Sequence, residues 1–407
     1  MRTHFNAGNY ERAEFIADSL KDNEIYQDKD RVIYALEMGT IDFFQGDHEE
    51  SVEAFSNAEE YMDQFFTKSM KMGLKAFLLN DNELAYNGEV YEDVYLNSFK
   101  SLSYLEMGEY ESALIEARRI VHKLEQAESK YGDLATSMSK ADTTSKEIEW
   151  KAGTSQIHDS PFGRYLSGIL YAKSDKPDDA RIELEKLKGA IKNHQMLPDS
   201  RVQFDSTFNK IDDPSQYNMV FTAFCGNGPK KVDNSLVIPS VGDQTGLKIA
   251  IPKLDMQPSQ VTNVEVVIND TTSLSLPMIE EMDKVARETF KIKKPIIVAR
   301  ATVRGILKSV GEDAVSDAAE EEGGELLADA VGLLAGQVRE ASEQADLRGW
   351  QTMPGKVHTT LFKLPPGKHQ VAFNYYATSG ELLFSEKKTV TLSDGERLEP
   401  VTSIYSN

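Results

Sequence analysis

Four copies of one helix-turn-helix pattern in the first half of this 407-residue chain constrain its fold more than any other feature. The first runs through Gly8, Tyr10 and Ala13, a G-x-Y-x-x-A turn between two helices. "YALEMGTIDFFQGDHEESVEAFSNAEEY" supplies Gly39, Gly46, Ser51, Phe55 and Ala58, with His48 where the other copies carry Tyr10 and Tyr110. "SFKSLSYLEMGEYESALIEARRI" repeats the pattern with Ser101, Tyr104, Gly108, Tyr110, Ala113, Ala117 and Ile120. "GRYLSGILYAKSDKPDDARIELEKL" closes the set with Gly168, Tyr171, Ala180, Leu184 and Leu187, and places Pro177 where a helix start tolerates a missing N–H. Small residues stand where two helices cross closely, and large ones fill the groove between them.

These are tetratricopeptide-type spacings. The small residues that anchor each second helix stand at 13, 51, 113 and 180, steps of 38, 62 and 67 residues. A regular array steps by about 34 residues, so this one is interrupted. The first gap holds "MDQFFTKSMKMGLKAFLLND", which suits an additional helix, and then the turn "AYNGEVYEDV". The second holds "QAESKYGDLATSMSKADTTSKEIEWKAG", read as a helix extension or a loop. Residues 1–205 are therefore expected to form a helical α-solenoid whose concave face binds a peptide or protein. The named repeat residues are read as packing positions.

A polar stretch follows, and residues 206–216 are expected to be a linker. Beyond it, "YNMVFTAFCG", "NSLVIPSV", "GLKIAIPKL" and "VTNVEVVIND" read as short strands between Gly, Pro and Asp turns. Helical patterning returns over about residues 275–347, and strands resume in "KVHTTLFKL" and "KHQVAFNYYATSGELLFSEKKTVTLSDGE". The expected architecture is α+β: a helical repeat domain, then a β-rich, sandwich-like domain over 217–407 carrying a helical insertion. Residues 217–270 and 355–407 are expected to build one sandwich together. Gly332 and Gly336 have G-x-x-x-G spacing, but Glu325, Asp329, Arg339 and Glu340 around them speak against a membrane helix. No run of apolar residues is long enough to span a bilayer.

Chemistry is hard to place on such a chain. The 45 Lys and Arg stand against 66 Asp and Glu, a formal charge of −21, which argues against nucleic acid as a partner. The single cysteine, Cys225, rules out an internal disulfide or a cysteine-based zinc site and reads as a small buried hydrophobe in a strand. Seven scattered histidines lack H-E-x-x-H spacing; neither "CGNGPKK" nor "GDQTGLK" is a phosphate-binding loop; no G-x-S-x-G is present. The expectation is a non-enzyme without metal or cofactor.

The most distinctive local stretch is "ADLRGWQTMPGKVHTTLFKLPPGKH". Asp346 and Arg348, two apart in an extended segment, share a face, so they are a candidate clamp for a carboxylate or peptide beside the flat ring of Trp350. The competing reading makes the pair a junction between insertion and strand, with Trp350 buried beneath it.

Together with "YNGEVYEDVYLNSFKSLSYLEMGEYESALIEARRI", "SPFGRYLSGILYA" and "FCGNGPKK", that stretch resembles a family of bacterial tetratricopeptide-containing lipoproteins of unassigned biochemical role. The resemblance runs nearly the length of the chain. It implies an envelope protein, periplasmic and associated with the outer membrane through a lipid anchor on a cysteine ahead of the first repeat. This chain starts at Met1 with neither that cysteine nor an export signal, and both are expected in the native form. The functional expectation is a non-enzymatic scaffold for a protein partner. The alternatives are a soluble cytoplasmic adaptor, or an envelope enzyme or glycan binder with its site near Asp346, Arg348 and Trp350.

Overall fold

A buried hydroxyl marks each of the two best-matched helix pairs. Ser51 donates to the carbonyl of Gly39 at 2.8 Å, and Ser101 donates to the carbonyl of Ala113 at 2.8 Å. Both bonds bind a small residue of one helix to the backbone of the other, an approach that larger side chains would prevent.

The computed structural model describes residues 1–72, 79, 81–142, 148–238, 247–322, 344–393 and 397–406. Its helices are α1 (Arg2–Asn6), α2 (Tyr10–Asp22), α3 (Arg31–Gln45), α4 (His48–Met72), α5 (Val90–Glu106), α6 (Tyr110–Ala141), α7 (Pro161–Lys173), α8 (Pro177–Gln195) and α9 (Met282–Glu322). The first eight pair in order, and each repeat turn sits between partners. Gly46 and Gly108 end α3 and leave the turn before α6 with φ of +94° and +79°, a conformation that costs glycine little. Before α8 the same place is taken by Asp175 at φ +56°. Gly39 is there for proximity: a Cβ on it would lie 2.8 Å from the ring of Phe55. Gly168 likewise faces Ile211, and Ala13, Ala58, Ala113 and Ala180 are all buried. Tyr10 packs on Phe5 and Phe44, Tyr110 accepts the N–H of Leu398, and Tyr171 is half-buried.

Both interruptions lengthen helices. Continuation of α4 to Met72 absorbs the first part of the additional helix expected over 62–81, and α6 runs on through the second polar stretch to Ala141. The extensions meet where Phe66 packs edge-on against Tyr131 at 5.5 Å.

The strands are β1 (Met219–Asn227), β2 (Lys230–Asp233), β3 (Leu236–Ile238), β4 (Leu247–Ile249), β5 (Pro252–Asp255), β6 (Val261–Ile268), β7 (Thr272–Leu276), β8 (Met278–Glu280), β9 (Pro354–Phe362), β10 (Gly367–Ala377), β11 (Leu382–Leu392) and β12 (Glu399–Tyr405). They form two four-stranded sheets, β12-β1-β9-β8 and β11-β10-β6-β7, and two small two-stranded pairs, β2-β5 and β3-β4. Each large sheet draws strands from both sides of α9. Phe221 and Cys225 of β1 face Val264 and Val266 of β6 and Phe373 of β10 across a core between the sheets. The chain is thus α+β.

Three expectations need correction. Residues 206–216 are not a free linker: they form two short 3-10 turns, Ser206–Asp212 and Pro214–Gln216, and bury Phe208 and Ile211 completely. The helical insertion starts at Met282, after two more strands, and its first two expected helices are one helix running through Pro295. Gly332 and Gly336 lie outside the described residues.

The third correction is the most consequential. The face of the helical half that was expected to receive a partner is covered by the chain's own sheet. Phe224 of β1 meets Phe44 of α3, Phe99 of α5 and Phe162 of α7 at 6.3, 5.2 and 6.2 Å between ring centres. Because β1 is buried on both faces, Val220 and Phe224 serve the helices while Met219, Phe221, Ala223 and Cys225 serve the core between the sheets. One hydrophobic core therefore joins the helices to one face of this sheet, and a second lies between the two sheets.

Candidate functional site

The segment 344–352 returns from α9 to the sheet and crosses the helical half on the way. The Arg348 side chain makes five hydrogen bonds there: Nε and Nη2 donate to the two oxygens of Asp346, Nη1 donates to Asp30, and Nη2 also reaches the carbonyls of Asp81 and Leu84. Burial works against the charge on Asp346, yet Lys231 and Arg348 hold its carboxyl below the usual range. Trp350 is 3% exposed and packs 5.7 Å from both Phe55 and Phe99, with its indole N–H shared between Thr40 and Thr352.

Two buried carboxylates from the helices complete the fastening. Glu37 of α3 accepts the N–H groups of Gln351 and Thr352 and the Thr352 hydroxyl; Glu92 of α5 accepts the N–H of Trp350. From the other side, Glu280 at the end of β8 accepts the hydroxyls of Tyr95 and Ser160 and the N–H of Phe162. Asp346, Arg348 and Trp350 are therefore brought together, but their polar groups are already engaged. The arrangement is that of the junction, and a ligand carboxylate would have to break it.

Asp346 also borders a cavity of about 200 Å³ with Lys231, Lys293, Arg300, Glu89 and Asp81. These side chains pair with one another: Lys231 bonds Glu89 at 2.7 Å, Lys293 lies 3.4 Å from Glu89, and Arg300 pairs with Asp81 at 2.9 Å.

A different surface has open chemistry. Two contiguous depressions of about 450 and 320 Å³, both lined by Lys21, Arg31 and Tyr34, run across α2, α3 and α4. Tyr34, Met38 and Asp42 recur every four residues along α3 and so make one stripe of the floor. Glu50, Glu53, Asn57 and Tyr61 of α4 form a wall. Lys21 lies over the Tyr34 ring at 4.3 Å, and Arg31 lies over Tyr61 at 4.6 Å and Phe65 at 5.1 Å.

Asp42 is the unusual member. It is 8% exposed and lines the groove, and the described residues give its carboxylate neither a cation nor a hydrogen-bond donor. Burial, then the negative charges of Glu14, Asp47, Glu50 and Asp18, push its carboxyl up to about 7. Sequence reading passed over it, although "GTIDFF" carries a signal: a lone carboxylate inside an apolar run on a helix meant for packing.

The remaining candidates are quiet. Burial between the sheets pushes the Cys225 thiol up to about 12, which makes it a poor nucleophile. Among the described residues no three His, Cys, Asp or Glu side chains are grouped to hold a metal ion, and no helix is long and apolar enough to cross a membrane. Comparison with protein-family models, with curated proteins and with solved structures gives no match.

Proposed function

We propose that this chain is a non-enzymatic protein-binding scaffold of the bacterial cell envelope, lipid-anchored and periplasmic in its native form, with a tetratricopeptide-like helical half and a sandwich-like β half. The matched crossings at Gly39–Ser51 and Ser101–Ala113 support the repeat reading, and the layered sheets support the sandwich reading. The envelope location rests on the family resemblance alone.

One observation carries the binding surface. With the inner face of the helical half closed by Phe224 and its neighbours, the groove over α2, α3 and α4 offers aromatic walls and unneutralised charge to a partner.

The test is a photo-cross-linking side chain at position 57, in the groove wall, compared with one at the exposed position 185 of α8, both in fractionated source cells. A discrete protein adduct from position 57 alone, in the membrane fraction, supports the reading. Adducts from neither position, or a protein confined to the cytosol, would overturn the scaffold or its envelope placement respectively.

A further inference from the structure

We infer that the groove over α2, α3 and α4 recognises a basic segment of the partner protein, one arginine or lysine side chain of which enters the groove and pairs with Asp42. The inference rests on the scaffold reading above and adds the chemistry of the partner.

Its basis is an unfinished ion pair. Most of Asp42 is covered by the fold while its carboxylate opens into the groove, so a cation that pairs with it comes from outside. Neighbouring acids that face Asp42 are otherwise occupied: Gln45 donates to Glu14 at 2.9 Å, and the Tyr34 hydroxyl donates to Asp18 at 2.7 Å. Asp47 and Glu50 stand at the solvent edge on the α3–α4 turn and on α4. The cations lining the groove, Lys21 and Arg31, lie over Tyr34 and over Tyr61 and Phe65 rather than on Asp42. Glu53 adds a further negative group to the wall.

Geometry favours a long cationic side chain. Met38 and Tyr34 lie one and two turns before Asp42 on the same stripe of α3, so the aliphatic stem of Arg or Lys packs against them while its head reaches the carboxylate. A guanidinium would satisfy both carboxylate oxygens at once. An anionic or purely apolar segment would leave Asp42 buried and unpaired. Pairing offsets the effect of burial, so the bound state favours ionised Asp42, and binding strengthens as the pH rises toward about 7 and levels off above it.

The experiment measures fluorescence anisotropy of a fluorescein-labelled hexa-arginine peptide with the full chain. It compares the wild type with Asp42→Asn, Glu53→Gln and Glu185→Gln, the last an exposed acid on the outer side of α8. The expected result is affinity reduced roughly tenfold by Asp42→Asn and severalfold by Glu53→Gln, with Glu185→Gln unchanged. Wild-type affinity should rise between about pH 5.5 and about pH 8, and this rise should vanish in Asp42→Asn. Equal losses in all three variants would show general attraction to an acidic protein and overturn the inference, as would wild-type affinity in Asp42→Asn. Glu53→Gln sits on the exposed wall and decides the matter even if Asp42→Asn folds poorly. A position-57 adduct in cells without peptide discrimination would leave the scaffold reading standing and discard the basic segment.

Discussion

Phe224 of β1 stacks on Phe99 of α5 with ring centres 5.2 Å apart and planes 24° from parallel, and both side chains are fully buried. That contact joins the two halves of the chain at the centre of one core. Truncation of Phe224 to alanine removes a ring that meets three helices, and the expected cost is about 3–5 kcal/mol of stability. Because the core is shared, helix and sheet signals should unfold in one transition in wild type and variant alike. Two separated transitions in circular dichroism and near-ultraviolet absorption would argue for independent domains.

Gly39→Ala tests the closest helix crossing. The added methyl would lie 2.8 Å from the Phe55 ring, which Phe99 and Trp350 already hold from other sides. With no room to retreat, the ring transmits the strain, and a loss of about 1–3 kcal/mol is expected in denaturant titration. Gly189→Ala, where nothing lies within 4 Å of the new methyl, is the matched control and should be neutral or stabilising.

The buried pair of Lys231 and Glu89, 2.7 Å apart with each side chain 2% exposed, makes a third test. Lys231→Met strands a buried carboxylate and should cost about 3 kcal/mol, less whatever Lys293 recovers from 3.4 Å away. Adding Glu89→Gln should restore much of that loss. A double variant as unstable as the sum of the two single ones would show that the pair is not coupled.

Stability should also depend on pH with a definite sign. Burial raises the carboxyls of Glu37, Glu280 and Asp42 to about 7 and that of Glu106 to about 8. A carboxyl raised on folding binds its proton more tightly in the native state, so its contribution is complete below the unfolded value of about 4.3 and is lost as pH climbs through about 7. Glu59 acts oppositely: burial is outweighed by Lys123 and Lys100, its carboxyl falls to about 2, and its contribution is lost as pH drops toward that value. The chain should therefore be more stable in urea at about pH 5 than at about pH 8. Asp42→Asn should raise stability at the higher pH by up to about 2 kcal/mol and change it little at the lower.

What the sequence determined by itself is local and periodic. Glycine, serine and alanine at crossing positions, aromatic residues one turn away and β-branched runs between turns dictate helix pairs and strands, because backbone sterics and side-chain spacing act over a few residues. Even Asp175 keeps the left-handed turn that glycine holds elsewhere. The mutual arrangement of the halves was decided only in the folded chain. Nothing in "VFTAFCG" announces that Phe224 will close the inner face of the helices, since a strand buried on both sides and a strand in a simple sandwich share the same apolar run. Asp346, Arg348 and Trp350 were visible as a distinctive group, but their role depended on Asp30, Glu37 and Glu92, more than 250 positions away. The sequence marks Asp42 only as a lone carboxylate in an apolar run; whether it is paired depends on which charges the fold carries to it, and that is a property of long-range packing.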